Sequence, residues 1–207
     1  YEPSLVKVKN IDKKNEPTLR IVGKDFQLGF DRVTGWLTQY EAAGNKLIAD
    51  GGSLKANFWR AVTDNDMGAE FQKKLAAWRS PEMNLLSLTT QTVKRGKGVE
   101  DPVVTAIYDM PAVKAQLKLT YTVFAGGELN VRMQLITDKE ANISDMLRFG
   151  MVMQLPYDME QSRYFGRGPI ENYSDRKAFA RIGIYKQTAD QQFFPYIRPQ
   201  ETGTKQD

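Results

Sequence analysis

The sequence has no cysteine and no histidine in its 207 residues. The first absence removes disulfide frameworks, thiol nucleophiles and thiolate-held metals, and it leaves the redox compartment open. The second removes His-assisted nucleophilic catalysis and the usual zinc sites. Carboxylates, Lys, Tyr and Arg are the side chains left for catalysis. Long apolar runs are lacking too: none could span a membrane, and no signal peptide opens the chain. Cytoplasm and periplasm both stay open as locations. The chain starts Tyr1-Glu2-Pro3 without a Met, as a processed chain or an excised piece would. Charge of one sign is not concentrated anywhere. The net charge of +4 comes from short clusters (Lys7, Lys9, Lys13, Lys14, Lys73, Lys74, Lys94, Arg95, Lys97) interleaved with Asp and Glu. Such clusters read as solvated faces, not as a nucleic-acid stripe.

What is present is period-two alternation. At 41% hydrophobic and 26% charged, the chain has the composition of one fairly large globular domain, or of one domain plus an arm. In "AQLKLTYTV", Ala115, Leu117, Leu119, Tyr121 and Val123 share one face; "LNVRMQL" repeats the pattern. Gly126-Gly127 lies between them and supplies the positive φ angles of a hairpin. Further strands are expected in "LVKVKNI", "LRIVG", "FQLGFD", "WLTQYEA", "NKLIA", "LLSLTTQTV", "VVTAIYDM", "LRFGMVMQL" and "ARIGIYKQ", with turns at Asp31–Gly35, Gly51-Gly52, Gly96–Gly98 and Pro156. Many short strands and few helices predict an all-β fold, an antiparallel sandwich. One stretch differs. Phe71, Leu75 and Trp78 recur at helical spacing between Ala69 and Arg79 and predict one short inserted helix, closed by Pro81. Residues 1–17, polar around "NIDKKNEP", are expected to be an N-terminal arm or linker, and residues 18–207 the sandwich domain.

Two stretches are dense in chemistry-bearing side chains. "TDNDMG" (Thr63 to Gly68) invites a calcium-loop reading, but counting from Asp64 puts Gly68 at position five and Leu75 at twelve, so the EF-hand pattern fails. On local pattern it is a turn. In "YFGRGPIENYSDR" (Tyr164 to Arg176), Gly166 and Gly168 lack the third glycine of a dinucleotide fingerprint, and Pro169 obstructs the helix that fingerprint opens. Glu171 and Asp175 could be imagined as a glycosidase acid pair. Four residues apart beside Arg176, they read better as turn and ion-pair partners, with Asn172 and Tyr173 completing a structural loop. Asn172-Tyr173-Ser174 and Asn142-Ile143-Ser144 match the glycosylation triplet, a pattern frequent by chance. No catalytic residue and no metal ligand is assigned.

Taken in order, "FDRVTG", "NFWRAVTDNDMG", "YFGRGPIENYSDR" and "PYIRPQETG" closely resemble the C-terminal small-chain domain of bacterial β-galactosidases of glycoside hydrolase family 2. The resemblance covers essentially the whole chain. It implies a large sandwich of galactose-mutarotase-like (supersandwich) type, which in the family follows a jelly roll, immunoglobulin-like domains and a central barrel. The family's two catalytic carboxylates lie in that barrel, with its divalent and monovalent metal ions, so no cofactor is expected in this chain. The missing histidines agree with a fragment lacking the barrel and argue against a true mutarotase. Family members continue beyond the stretch matching "RPQETGTKQD", so the sandwich is expected to be incomplete at its C-terminus, with exposed edges.

The resemblance further implies that the segment after "DNDxG" is a loop at the mouth of the barrel's site. Asp66, Gly68, Ala69 and Glu70 match it, and Gly68 suits a hinge. The function implied is non-catalytic: a sandwich that supplies scaffold and a loop near the active site of an enzyme hydrolysing terminal β-galactosides in carbohydrate catabolism. Its partners would be the upstream domains of the same polypeptide, above all the barrel, and β-galactosides in the intact enzyme, with no nucleic acid and no membrane. A homo-oligomeric parent is compatible with all of this. A stand-alone carbohydrate-binding module, using Trp36, Trp59 or Trp78 as sugar platforms, or a structural assembly domain, is the competing reading.

Overall fold

The computed structural model describes residues 9–11, 13, 15–96, 98–138, 140–200 and 202. The chain separates into two compact units, one comprising residues 1–59 and 77–156 and the other residues 60–76 and 157–207.

The first unit is an antiparallel sandwich, as the alternation predicts. One sheet contains β1 (Lys9–Ile11), β2 (Thr18–Val22), β3 (Phe26–Asp31), β4 (Leu37–Ala42), β6 (Leu54–Asn57) and β11 (Gly150–Met153) in that order, with the two-residue β5 (Asn45–Lys46) paired to β4. The second sheet orders β10 (Leu129–Thr137), β9 (Ala115–Val123), β8 (Val99–Met110) and β7 (Asn84–Gly96). Of "LVKVKNI", residues 9–11 form β1 and the rest lies outside the described residues. "NKLIA" delivers only β5, while β6 was not expected from its sequence "LKAN".

The core is the sum of the inward faces. Leu117, Leu119, Tyr121 and Val123 of β9 are fully buried, as are Val104, Ala106, Tyr108 and Met110 of β8; Leu19, Ile21, Leu28 and Phe30 face them from the other sheet. Removing such side chains from water is the main stabilising term. Aromatic contacts join the layers: Phe30 meets Tyr121 edge-on at 4.9 Å, and Trp36 stacks on Tyr108 at 4.5 Å. Trp36 and Trp78 are thus core residues, and Trp78 also donates its indole N–H to the Ser144 carbonyl at 2.9 Å. β9 and β10 form the expected hairpin, with Leu129 opposite Val123, and of Gly126 and Gly127 only Gly127 takes a positive φ (92°).

The Asp31–Gly35 turn is built by chemistry that the sequence announces. The Asp31 carboxylate accepts from the backbone N–H groups of Val33 and Thr34 at 3.0 and 2.7 Å and from the Thr34 hydroxyl at 2.8 Å. Burial pushes this carboxyl up, and the bonds from Thr34 and Val33 outweigh it, so its pKa lies below the usual aspartate value. Gly35 closes the turn at φ 73°, where an added Cβ would lie 2.5 Å from Leu85.

The second unit contains the hairpin β12 (Gln161–Gly168) and β13 (Arg181–Thr188), two single-turn helices α1 (Asp64–Gly68) and α2 (Phe71–Lys74), and the segment leading to residue 200. Here the sequence reading needs two corrections. The first half of "YFGRGPIENYSDR" is strand, Gly166 pairing with Gly183 so that two residues without side chains lie opposite each other. The single helix expected from Ala69 to Arg79 is instead broken: α1 begins earlier, α2 follows, and Ala76–Trp78 is a 3-10 turn.

Candidate functional site

The α1 turn exists because of its first residues. Thr63 is extended (φ −86°, ψ 172°) and its hydroxyl accepts from the Asp66 backbone N–H at 3.2 Å; the Asp66 carboxylate returns to the Thr63 N–H at 2.8 Å. This is a capping box with Asp in the place of Glu, and it satisfies two helix N-terminal donors at once. The same carboxylate takes two bonds from the Arg60 guanidinium, at 2.5 and 3.3 Å. Asp66 is only 6% exposed, and the bond from Arg60 holds its carboxyl below the usual aspartate value against the upward push of burial, with Thr63 adding to the lowering. Asp66 is therefore a structural anion here, saturated by partners that fix the turn.

The break after α1 falls on Glu70, which adopts φ 60° and ψ 30°. A non-glycine residue in this left-handed region is strained, so the helix expected across it stops and restarts. Glu70 pairs with Lys73 at 2.9 Å, and Lys74 caps the Ala69 carbonyl at 2.8 Å. Gly68, the hinge suggested by the sequence, ends α1 outside the left-handed region, and an added Cβ would meet nothing within 4 Å. Conformational strain in this loop sits two residues later than the glycine.

In the second motif, Tyr173 and Arg176 exchange backbone hydrogen bonds at 3.1 and 3.0 Å, which folds "YSDR" into a tight turn. The Arg176 guanidinium lies 4.9 Å from the centre of the Tyr173 ring. Among the described residues the Arg176 side chain makes this cation–π contact and no ion pair to Asp175. Asn172 is fully buried and Glu171 nearly so, the latter accepting from the Tyr196 hydroxyl. Burial of Asn172 removes it as a glycan acceptor in the folded chain, whereas Asn142 is exposed.

These segments, scattered in sequence, meet within the second unit. An open depression of about 610 Å³ is lined by Arg60, Thr63, Asp64, Asp66, Tyr173 and Asp175 among others, together with Pro199 and Gln200. Asp64 ties the pieces: its N–H donates to the Pro199 carbonyl at 2.9 Å and its carboxylate pairs with Arg198 at 3.1 Å. Of the residues expected in the substrate-side loop, Asp66 lines this depression, while Gly68, Ala69 and Glu70 do not. Tyr173, Asp175 and Arg176 join it from the structural loop. Glu171 instead lines a second, more apolar cavity of about 310 Å³ beside Phe179, Phe193, Phe194 and Tyr196. Glu171 and Asp175 thus do not face each other across one cavity, as an acid pair acting on a sugar must. Among the described residues, no group of three or more acidic side chains gathers where it could hold a metal ion. The T-x-x-D spacing signals Thr63 as a helix cap, whereas no local pattern in the sequence points to Arg60 or Arg198.

The family model for the β-galactosidase small chain matches residues 22–207. A β-galactosidase of Priestia megaterium is 32% identical over 196 residues, 94% of this chain and 18% of the relative. One from Lactobacillus delbrueckii subsp. bulgaricus is 35% identical over 190 residues, and one from Vibrio cholerae 32% over 200, covering 90% and 91% of this chain. The chain spans about 18% of the length of the first of these relatives, so it corresponds to a small part of a larger enzyme. The motifs that converge on the depression lie inside the matched range, and the chain belongs to the β-galactosidase small-chain family.

Proposed function

We propose that the chain is a non-catalytic β-sandwich domain of a β-galactosidase of glycoside hydrolase family 2, one that hydrolyses terminal β-galactosides in carbohydrate catabolism. In this reading the sandwich is of galactose-mutarotase-like type and serves as scaffold. The segment with Asp66, Gly68, Ala69 and Glu70 is its loop toward the active site, which a barrel elsewhere in the polypeptide completes. Divalent and monovalent ions used by the parent enzyme would be held outside this chain. The observation that carries the proposal is the use to which the acids are put. Asp64, Asp66 and Glu171 are each bound to a partner that fixes a loop, and Glu171 and Asp175, the pair that invites a glycosidase reading, line different cavities.

The test has two arms. The chain by itself should release nothing from a chromogenic β-galactoside at high protein concentration; activity that disappears with Glu171→Ala or Asp175→Ala overturns the non-catalytic reading. In the complete polypeptide, replacing residues 67–74 by a Gly/Ser linker should change kcat or KM in a way that depends on leaving-group size. Kinetics indifferent to that replacement would remove the loop from the active site.

A further inference from the structure

We infer that Arg198–Gln200 is a strap that holds the α1 turn in place, with Arg198 as its positioning residue; the consequence for catalysis rests on the reading of the loop given above. Asp64 is the first residue of α1, directly after the Thr63 cap, and it is held twice by the strap. Its backbone N–H, one of the donors that a helix start leaves without an intrahelical acceptor, goes to the Pro199 carbonyl at 2.9 Å. Its carboxylate accepts from Arg198 Nη1 at 3.1 Å, across 134 positions of sequence. The two bonds converge on a single residue from two consecutive residues of the strap.

The strap sequence suits that task. Pro199 has its φ fixed by the ring, and it restricts Arg198 to extended backbone. The carbonyl of one residue and the side chain of its neighbour are therefore presented with little ordering left to do on contact. From the other side, the Arg60–Asp66 pair fixes the same turn from within, at 21% and 8% side-chain exposure. The strap pair is far wetter, at 73% for Arg198 and 44% for Asp64. The turn thus has an internal brace that is partly buried and an external tie that is solvated. A solvated ion pair is weak and salt-sensitive, so it biases the position of the turn by a few-fold without locking it.

The experiment uses the complete polypeptide carrying this chain, with Arg198→Gln, Arg198→Lys, Asp64→Asn and the Arg198→Gln/Asp64→Asn double variant. Amide exchange of residues 64–69 reports the turn directly, and kcat and KM are measured with β-galactosides of small and bulky leaving groups. At low salt, Arg198→Gln should speed exchange at Asp64 and its neighbours by about two- to fivefold, the double variant no further, and Arg198→Lys should restore most of the protection. Raising salt to roughly 0.5 M should bring the parent close to Arg198→Gln, because the screening length falls to a few ångströms. Unchanged exchange in every variant overturns the strap, whatever the kinetics do. Faster exchange with kinetics unchanged on all substrates supports the strap and instead removes the loop from the active site. Faster exchange with a matching few-fold change in KM or kcat supports both.

Discussion

Removing the Asp66 carboxylate tests the brace of the α1 turn most sharply. Asp66→Ala deletes the reciprocal half of the capping box and the acceptor of two Arg60 bonds in one step. Losing a cap costs about 1 kcal/mol. Stripping the carboxylate from a buried pair costs about 3–5 kcal/mol when both charges are fully buried. Arg60 keeps one-fifth of its side chain exposed and also donates to the Ala61 carbonyl at 3.0 Å, so water and that bond recover part of the loss. A local cost of about 2–3 kcal/mol follows, or roughly thirty- to a hundred-and-fiftyfold faster exchange if the turn opens locally. The amides to watch are Met67 and Ala69, which donate to the Thr63 and Asn65 carbonyls. Asp66→Asn keeps the acceptor for the Thr63 N–H and should lose less, about 1–2 kcal/mol.

The pH dependence gives a second reading of the same residue. The folded-state pKa of Asp66 lies below its ordinary value of 3.8, with the Arg60 bond as the chief cause. Between those two values the unfolded chain binds the proton more readily, so stability there rises with pH. The contribution is fully present above about pH 4 to 5 and is lost as pH falls through the folded value. Protection of the turn should decline on acidification below that range, and Asp66→Asn should flatten the decline. Exchange at Met67 and Ala69 altered less than threefold by Asp66→Ala would refute the brace.

Other outcomes follow from single contacts. Gly68→Ala should leave α1 unchanged or slightly firmer, by at most about 1 kcal/mol, since the backbone is not left-handed and the space is open. Glu70→Gly should relieve about 1 kcal/mol of left-handed strain, less what the Lys73 contact contributes; exchange of the α2 amides compares the two. Gly35→Ala should destabilise the sandwich by roughly 2 kcal/mol or more, because the new Cβ combines a positive φ with a 2.5 Å approach to Leu85; a denaturant midpoint checks it. Tyr121→Phe should be neutral or stabilising by about 1 kcal/mol, as the hydroxyl is buried with no partner among the described residues and burial raises its pKa. Trp78→Phe should cost about 2–3 kcal/mol through lost packing and the lost indole bond to the Ser144 carbonyl.

The sandwich could be read from sequence wherever one face of a strand is wet. β9 alternates Ala115, Leu117, Leu119, Tyr121 and Val123 against Gln116, Lys118, Thr120 and Thr122, and the structure buries the first set. Where that contrast fades, so does the reading. β6 is four residues, "LKAN", with one buried side chain, too short for a period to register. β12 contains Gly166 and Gly168, whose turn signal outweighed a strand that pairs over eight positions with β13. The helix was misread for another reason. Phe71, Leu75 and Trp78 do fall at helical spacing, but Leu75 and Trp78 are buried without a continuous helix between them, because Glu70 turns the chain left-handed just before and the 3-10 turn tightens it after.

The candidate site was half visible, and the division follows sequence distance. The Thr63–Asp66 box is a spacing of three, a pattern that marks a helix start in the sequence itself. Arg60 reaches Asp66 over six residues, and Arg198 reaches Asp64 over 134; no local pattern encodes such pairs. Their effect is what decides the chemistry. A carboxylate able to act as acid, base or nucleophile on a sugar must keep an oxygen open toward the substrate and face a second carboxylate across it. Asp66 gives its oxygens to Arg60 and Thr63, Asp64 pairs with Arg198, and Glu171 accepts from Tyr196 beside a different cavity from Asp175. Asp64, Asp66 and Glu171, which make these loops conspicuous in sequence, are thus spent on holding them in shape.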